Sequence, residues 1–572
     1  MLAGAISYDP TVNIQAWAQT LVSRATRSPM ERYRSLFHSE QIVIYVIERP
    51  IDRPFVPHWS TVDGELWLVG DVCYKYQQTE LQPPKSLRDF SSKTEYGRCL
   101  ALQVSADHRT LRIASDRLGI QWLYFAKLKG GLLFASHFAA LAEMIRDTLT
   151  VDHSSALMEL ALGYTPDHRT IFNEIHLIRP GAVIEISSQG IKDLHAAPVI
   201  YGDRLFGANQ PQKFAALDEC FDRIAKSEMV SRKSQLVLSL SAGFDSRYAL
   251  GFLGRHDVKP RCFTFGHPDS EEIRGATAVA AKSGLSTEVF AIPDSSWDQW
   301  RNSIQFLGNA GMVQWSGWAE SWLKYLRQHG QFSVIGYIGD ALTGKHLPVS
   351  EKGIDSWPEF WIDWSKEGGW AESQMLTASA RRQLADAMIE RFRVCLGTAS
   401  FASPYQQALH LDLYGRQRRW VATQPNLVGR FITPLLFFYD HALMDFWANV
   451  AFGDLSRQNL YLSYAHHRFP HLFPRIDEDF PSISLRALRK LTKLLSGRSV
   501  PRPPVINQRQ NIIINRKRIL ALLEKVGPAL GPILDVKKFS AEVELFGQRS
   551  SMSPELITRA VNLSFLIELC CN

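Results

Sequence analysis

Apolar positions in the first 190 or so residues come in short bursts with a two-residue rhythm. The runs "QIVIYVIERP", "GELWLVGDVCYKY", "RCLALQVSADHRTLRIASD", "QWLYFAKLKGGLLFASH" and "AVIEISSQG" are apolar or alternating, and Gly, Asp or Asn breaks each one. That pattern predicts strands in stacked sheets. Two helical patterns, "FAALAEMIRD" and "SSALMELALGY", interrupt them. Residues 201–212, "YGDRLFGANQPQ", collect Gly, Asn, Pro and Gln without periodicity and read as a linker.

After residue 212 the rhythm changes. "KFAALDECFDRIAKSEMV" puts Phe214, Leu217, Phe221 and Ile224 on one helical face. Strand and helix patterns then alternate: "QLVLSL", "RYALGFLGRH", "RCFTFG", "EEIRGATAVAAKSG" and "TEVFAI". Continuous apolar strands between helices predict a parallel sheet covered on both faces, with ligands at the carboxyl ends of its strands. From about residue 296 the chain reads as mainly helical and Trp-rich, apart from one more strand, "FSVIGYIGD". The fold expected is therefore α+β stacked sheets over residues 1–200, then an α/β domain with helical C-terminal additions over 213–572.

One turn in the second part carries candidate chemistry. In "LSLSAGFDSRYAL", residues 238–250, a strand runs through Ser241, Ala242, Gly243, Asp245 and Ser246 into a helix. Backbone N–H groups and the helix dipole converge at such a turn and form an anion cradle. The Gly-x-x-x-x-Gly-Lys-Ser/Thr pattern of a Walker loop is absent. A βα turn with a helix-capping Asp gives the same letters, so both readings stand at this point.

Composition narrows the class. At 572 residues the chain is too long for one core, and 45% hydrophobic with 21% charged residues is ordinary for a soluble globular protein. The net charge of +7 comes from arginine-rich helices and from "LRALRKLTKLLSGRSVPRPP"; it favours anionic ligands or simply marks a solvated surface. Seven scattered cysteines, without CxxC pairs, read as reduced thiols in a cytoplasmic protein. "MLAGAISYDPTVN" lacks the features of a signal peptide. "FITPLLFFYDHALMDFWANVAF" carries Asp440, His441 and Asp445, so a buried globular segment is expected and no membrane span. The adjacent His466 and His467 diverge on a helix and read as surface or capping residues.

Residues 239–246 resemble the Ser-Gly-Gly-x-Asp-Ser signature of the ATP pyrophosphatases, the PP-loop family, with Ala242 in place of the first glycine. "VIGYIGDALTG", residues 334–344, resembles the Gly-Asp segment of asparagine synthetases. "SDRLGIQWLYFAKLKGGLLFASHFAALAEMI" and "ALGYTPDHRTIFNEIHLIRPGAVIEI" are similar to the glutamine amidotransferase domain of that family, and "GRFITPLLFFYDHALMDF" resembles a later segment. The resemblance implies an Ntn-hydrolase-like N-terminal domain, a PP-loop domain of the adenine nucleotide alpha hydrolase type, and ATP with Mg²⁺ as cofactors. It places Ser239, Ser241, Gly243, Asp245, Ser246, Phe265, Gly266 and Gly339 around the nucleotide, with Asp245 and Asp340 on the metal.

The family's amidotransferases begin Met-Cys-Gly, and this sequence begins Met-Leu-Ala-Gly. Leu2 has no nucleophilic atom, so glutamine hydrolysis is expected to be absent. Among relatives with this pattern, the resemblance favours the lasso peptide cyclases, which adenylate an Asp or Glu side chain of a precursor peptide and close a macrolactam with its N-terminal amine. The implied partners are that peptide and a leader-binding protein and protease of the same pathway. No nucleic acid is expected, because paired catalytic cysteines and a zinc module are lacking. β-Lactam synthetase-like or asparagine synthetase-like amidation, or a silent scaffold, are the alternatives. Tyr337 matches the catalytic tyrosine of the β-lactam synthetases, or packs at a strand end; Arg457, or else Lys490 or Lys493, stands where the family has a charge-stabilising lysine. "YGRQRRWV" and "WPEFWIDW" suit a peptide groove, although core packing accounts for most such aromatics.

Overall fold

A computed structural model of the chain describes residues 1–9, 11–26, 32–48, 56–72, 87, 90, 97–196, 199–267, 270–292, 297–308, 325–326, 328–352, 354, 356–365, 374–473, 508–550 and 552–571. Cys73, Lys490, Lys493 and the basic stretch around them lie outside these residues.

Two six-stranded antiparallel sheets are built from residues 2–196. Leu2–Ser7 lies inside the first, between Ile42–Glu48 and Gly131–Ala135. Its side chains alternate: Leu2 and Ile6 join Ile44, Val69, Leu100 and Ile113 between the sheets, while Ala3 and Ala5 meet helices Ile14–Ala25 and Phe138–Met144 on the outer face. Each fully buried Leu or Ile contributes roughly 1.5–3 kcal/mol. Leu2–Ser7 and the edge strand Arg32–His38 stand outside the runs in which the apolar rhythm is visible. The cause in the first is its small residues: a Cβ at Gly4 would stand 2.4 Å from Phe134 Cζ, so a bulkier, more legible strand does not fit.

The expected parallel sheet is present. Its strands are β1 (Leu236–Ser239), β2 (Arg261–Gly266), β3 (Thr287–Ala291), β4 (Phe332–Ile335) and β5 (Thr433–Leu436), in the order β3-β2-β1-β4-β5. All four pairings are parallel. Helix α1 (Phe244–Arg255) follows β1, and α2 (Glu271–Lys282) follows β2. The strand order reverses between β1 and β4, and that crevice is the place where such sheets take ligands.

Residues 201–212 are ordered, contrary to the linker reading. Asn209 Oδ1 accepts the Gln212 N–H and Gln212 Oε1 accepts the Asn209 N–H, each at 3.0 Å, so "NQPQ" is a capping box opening helix Gln210–Ile224. Gly202 is packed so closely that a Cβ would stand 2.3 Å from Asn449 Oδ1.

Most of the aromatic and arginine-rich segments are core. Tyr414, Arg418, Arg419, Trp357 and Trp361 are buried. Arg418 donates to the Ile178 carbonyl, and Trp122 Nε1 donates back to the Arg418 carbonyl at 3.1 Å. Trp364 and Trp420 remain partly exposed, with Arg416 over their rings at 5.4 and 4.6 Å. Asp440 caps helix His441–Trp447 and pairs with Arg223; Asp445 pairs with Arg117. No helix among the described residues is long and apolar enough to cross a membrane.

Candidate functional site

The turn after β1 is held by its own hydroxyls. Ser241 N–H donates to Ser246 Oγ at 3.0 Å, the two hydroxyl oxygens lie 2.9 Å apart, and Gly243 N–H donates to Ser241 Oγ at 3.0 Å. Gly243 stands at the N-cap of α1 and supplies no side-chain cap, which leaves the first-turn N–H groups pointing out without a side-chain acceptor. Ala242 N–H is taken by Glu272 Oε1 of α2 at 3.2 Å. Burial raises the Glu272 carboxyl, with Ala242, Arg247, Lys345 and Ser241 working against it.

The turn after β4 packs directly onto this one. A Cβ at Gly336 would lie 2.7 Å from Asp245 Cβ, and one at Gly339 would lie 2.4 Å from Asp245 Cγ. Only glycine permits that approach. It lets Asp340 N–H, at the start of the single-turn α3 (Gly339–Leu342), donate to Asp245 Oδ2 at 3.0 Å. The other oxygen, Oδ1, accepts the Tyr461 hydroxyl at 2.6 Å from α4 (Asn459–Arg468). Tyr461 is fully buried, with its ring stacked on Tyr248 at 4.2 Å. Burial first, and then the charge of Asp340, push the Asp245 carboxyl well above the usual carboxylate range. Asp340 in turn forms an ion pair with Lys345.

Asp245 and Asp340 thus come from the ends of adjacent parallel strands and meet at the sheet's switch point. Their hard oxygen donors suit Mg²⁺, and the open N–H groups of α1 suit phosphate oxygens, so the residues present fit both groups. Ser239 ends β1, and Phe265 and Gly266 end β2, on the same edge of the sheet. Two expected residues are not brought to the pair. Tyr337 is buried and its hydroxyl donates to the Gln417 carbonyl at 2.8 Å. Burial first, then Asp116, hold that hydroxyl well above its ordinary range, and its strongest charged neighbours are Asp116, Arg418, Arg98 and Asp412. This is the strand-end packing reading, not the basic one. Arg457 is exposed, in the left-handed region at φ 55°, and makes no ion pair among the described residues.

Sequence reasoning missed Tyr461, Glu272 and Lys345. Tyr461 and Asp245 are 216 positions apart, so no local pattern links them. A half-buried pair, His346 Nδ1 and Asp412 Oδ2 at 2.6 Å, also went unread. His466 bonds the Phe473 carbonyl, and His467 packs by Phe214. No cluster of three or more ligating side chains exists among the described residues. Cys220, Cys262, Cys395, Cys570 and Cys571 are free.

Residues 99–196 match the family model of the glutamine amidotransferase domain. The chain is amidotransferase-like over that segment, which holds strands of both antiparallel sheets, and the match points to an enzyme of amide chemistry in the broad sense. No curated protein matches the sequence. Two solved structures are similar in part. Glutamine phosphoribosylpyrophosphate amidotransferase from B. subtilis, complexed with ADP and GMP, is 11% identical with a TM-score of 0.22, over 50% of this chain and 65% of that one. The allosteric regulatory enzyme of purine biosynthesis is 11% identical with a TM-score of 0.20, over 57% of this chain and 81% of that one. The chain thus spans about 65% of the length of the first. These likenesses are slight, and the architecture rests on the sheets themselves.

Proposed function

We propose that the chain is an AMP-forming amide ligase that closes the macrolactam of a lasso peptide. One observation carries the reading: Asp245 and Asp340 meet at the ends of β1 and β4, beneath a helix N-terminus that no side chain caps. In this reading residues 1–200 form a degenerate amidotransferase-like domain and residues 213–572 a PP-loop synthetase domain, working in the cytoplasm.

The peptide's Asp or Glu carboxylate attacks the α-phosphorus of ATP. The bond to the bridging oxygen breaks and pyrophosphate leaves with its electrons. Ser241, Gly243 and Ser246 cradle that group, while Ser239, Phe265, Gly266 and Gly339 line the nucleotide's side of the crevice. Asp245 and Asp340 would hold Mg²⁺, which neutralises charge on the leaving phosphates. The peptide's N-terminal amine then attacks the activated carbonyl, AMP departs with the electrons of the acyl–oxygen bond, and the amine's proton passes to solvent. Bringing the amine to a distant acyl group is a problem of orientation, and the enzyme's share is mainly positioning and charge neutralisation. A leader-binding protein and a protease would deliver the core peptide.

Pyrophosphate release with ATP, Mg²⁺ and defined peptides tests this. Release is expected only with a peptide that bears Asp or Glu several residues from a free N-terminus, and Asp245→Asn abolishes it. Release with aspartate and ammonia, or full turnover by Asp245→Asn, overturns the reading.

A further inference from the structure

Two carboxylates facing a polyphosphate give a site with a large excess of negative charge. Arg457, the cation that the family resemblance offered, is exposed and makes no ion pair among the described residues. Another cation does reach the pair. Lys345 Nζ is ion-paired with Asp340 Oδ2, and its side chain is 50% exposed.

The turn that carries Lys345 is rigid. Lys345 N–H donates to the Asp340 carbonyl at 3.0 Å, and Thr343 N–H to the Gly339 carbonyl at 3.1 Å. Gln458 Nε2 bonds Thr343 Oγ1 at 2.6 Å from the other side. Gly344, at φ +82°, lies so close to Leu455 that a Cβ would stand 2.7 Å from the Leu455 carbonyl oxygen. One turn therefore delivers a carboxylate and a cation five residues apart in fixed relation. The Lys345 charge reaches the β1 turn as well: it opposes the burial that raises both Asp245 and Glu272.

We propose that Lys345 is the phosphate-binding cation of this site, leaving Asp340 for the leaving pyrophosphate once a divalent cation holds the two aspartates. The inference rests on the adenylation reading above. A compact ammonium on a flexible four-carbon stem suits such an exchange of partners better than a planar guanidinium does.

Calorimetric titration of the full chain with inorganic pyrophosphate and Mg²⁺ tests it, needing no peptide and no turnover. Lys345→Gln is expected to weaken binding at least about tenfold, which is about 1.4 kcal/mol. Lys345→Arg, which keeps the charge, retains affinity to within about threefold. Lys352→Gln, on the exposed surface nearby, binds as the parent chain does. Unchanged binding by Lys345→Gln, or equal losses in the Gln and Arg variants, overturns the inference and leaves the adenylation reading standing. Absence of pyrophosphate binding by the parent chain overturns both.

Discussion

The methyl group of Ala242 lies against Gly275 of α2, where a Cβ would stand 2.5 Å from it. Both atoms are fixed to the backbone, so neither can swing aside. Gly275→Ala gains about 1 kcal/mol of helix propensity. The overlap costs about 1–3 kcal/mol and pushes the β1 turn out of shape. The single variant is therefore expected to melt lower and to bind pyrophosphate with Mg²⁺ more weakly. Ala242→Gly in the same chain restores both, as thermal unfolding and calorimetry will show; a double variant no better than the single one removes this account of the loop.

Asp245 gives a pH dependence of unusual sign. Its carboxyl is raised well above 3.8 in the folded chain, so the folded state holds a proton that the unfolded state has released. Its contribution to stability is complete below that value and is lost as pH rises through the raised one. Without metal, Asp245→Asn is expected to stabilise the protein at neutral pH by about 0.5–2 kcal/mol while abolishing activity. Denaturant titrations at about pH 4 and pH 7 check this, the difference being smaller at the lower pH.

Asp412 has the ordinary sign. Burial works to raise its carboxyl, but His346, Arg416 and Gln417 together hold it below 3.8. That stabilisation is complete above 3.8 and is lost as pH falls through the lowered value. Asp412→Asn is expected to cost about 1–3 kcal/mol at neutral pH. The gap from the parent chain closes towards about pH 3, which unfolding curves at several pH values will follow.

Leu2 is 0% exposed between the two sheets. Leu2→Cys places a thiol in a packed core that glutamine cannot reach, so glutaminase activity, read as glutamate release, stays at background. The lost apolar volume costs about 1–3 kcal/mol of stability. Glutamate release above background would show that the space between the sheets opens to substrate.

The sequence was most legible where one periodicity persisted. The strand-helix alternation after residue 235 announced the parallel sheet, and Asp245 and Asp340 could be placed because each ends an apolar strand. Leu2–Ser7 was obscured because close packing at Gly4 demands small residues, which carry little hydrophobic signal. Tyr461 and Glu272 were out of reach for another reason: each meets the site through a contact between elements distant in sequence. Lys345 sits among Thr, Gly and His, and nothing in that string shows that the turn folds back on Asp340. Tyr337 shows the reverse failure, since its motif position was clear and its hydroxyl is spent on Gln417.

The ordered segment at 201–212 changes what it means to divide this chain. Gln406 Nε2 donates to the Gly202 carbonyl, Arg98 bonds Asn426, and Tyr439 bonds Asp116. A fragment that starts at the capping box loses the Gly202 carbonyl that Gln406 bonds, the Arg98 and Ile120 groups that Asn426 bonds, and the Asp116 carboxylate that Tyr439 bonds. The antiparallel half, which holds neither aspartate of the pair, is thus a mould against which the other half sets. Damage to it will register at the Asp245–Asp340 pair, as a catalytic defect without a catalytic lesion.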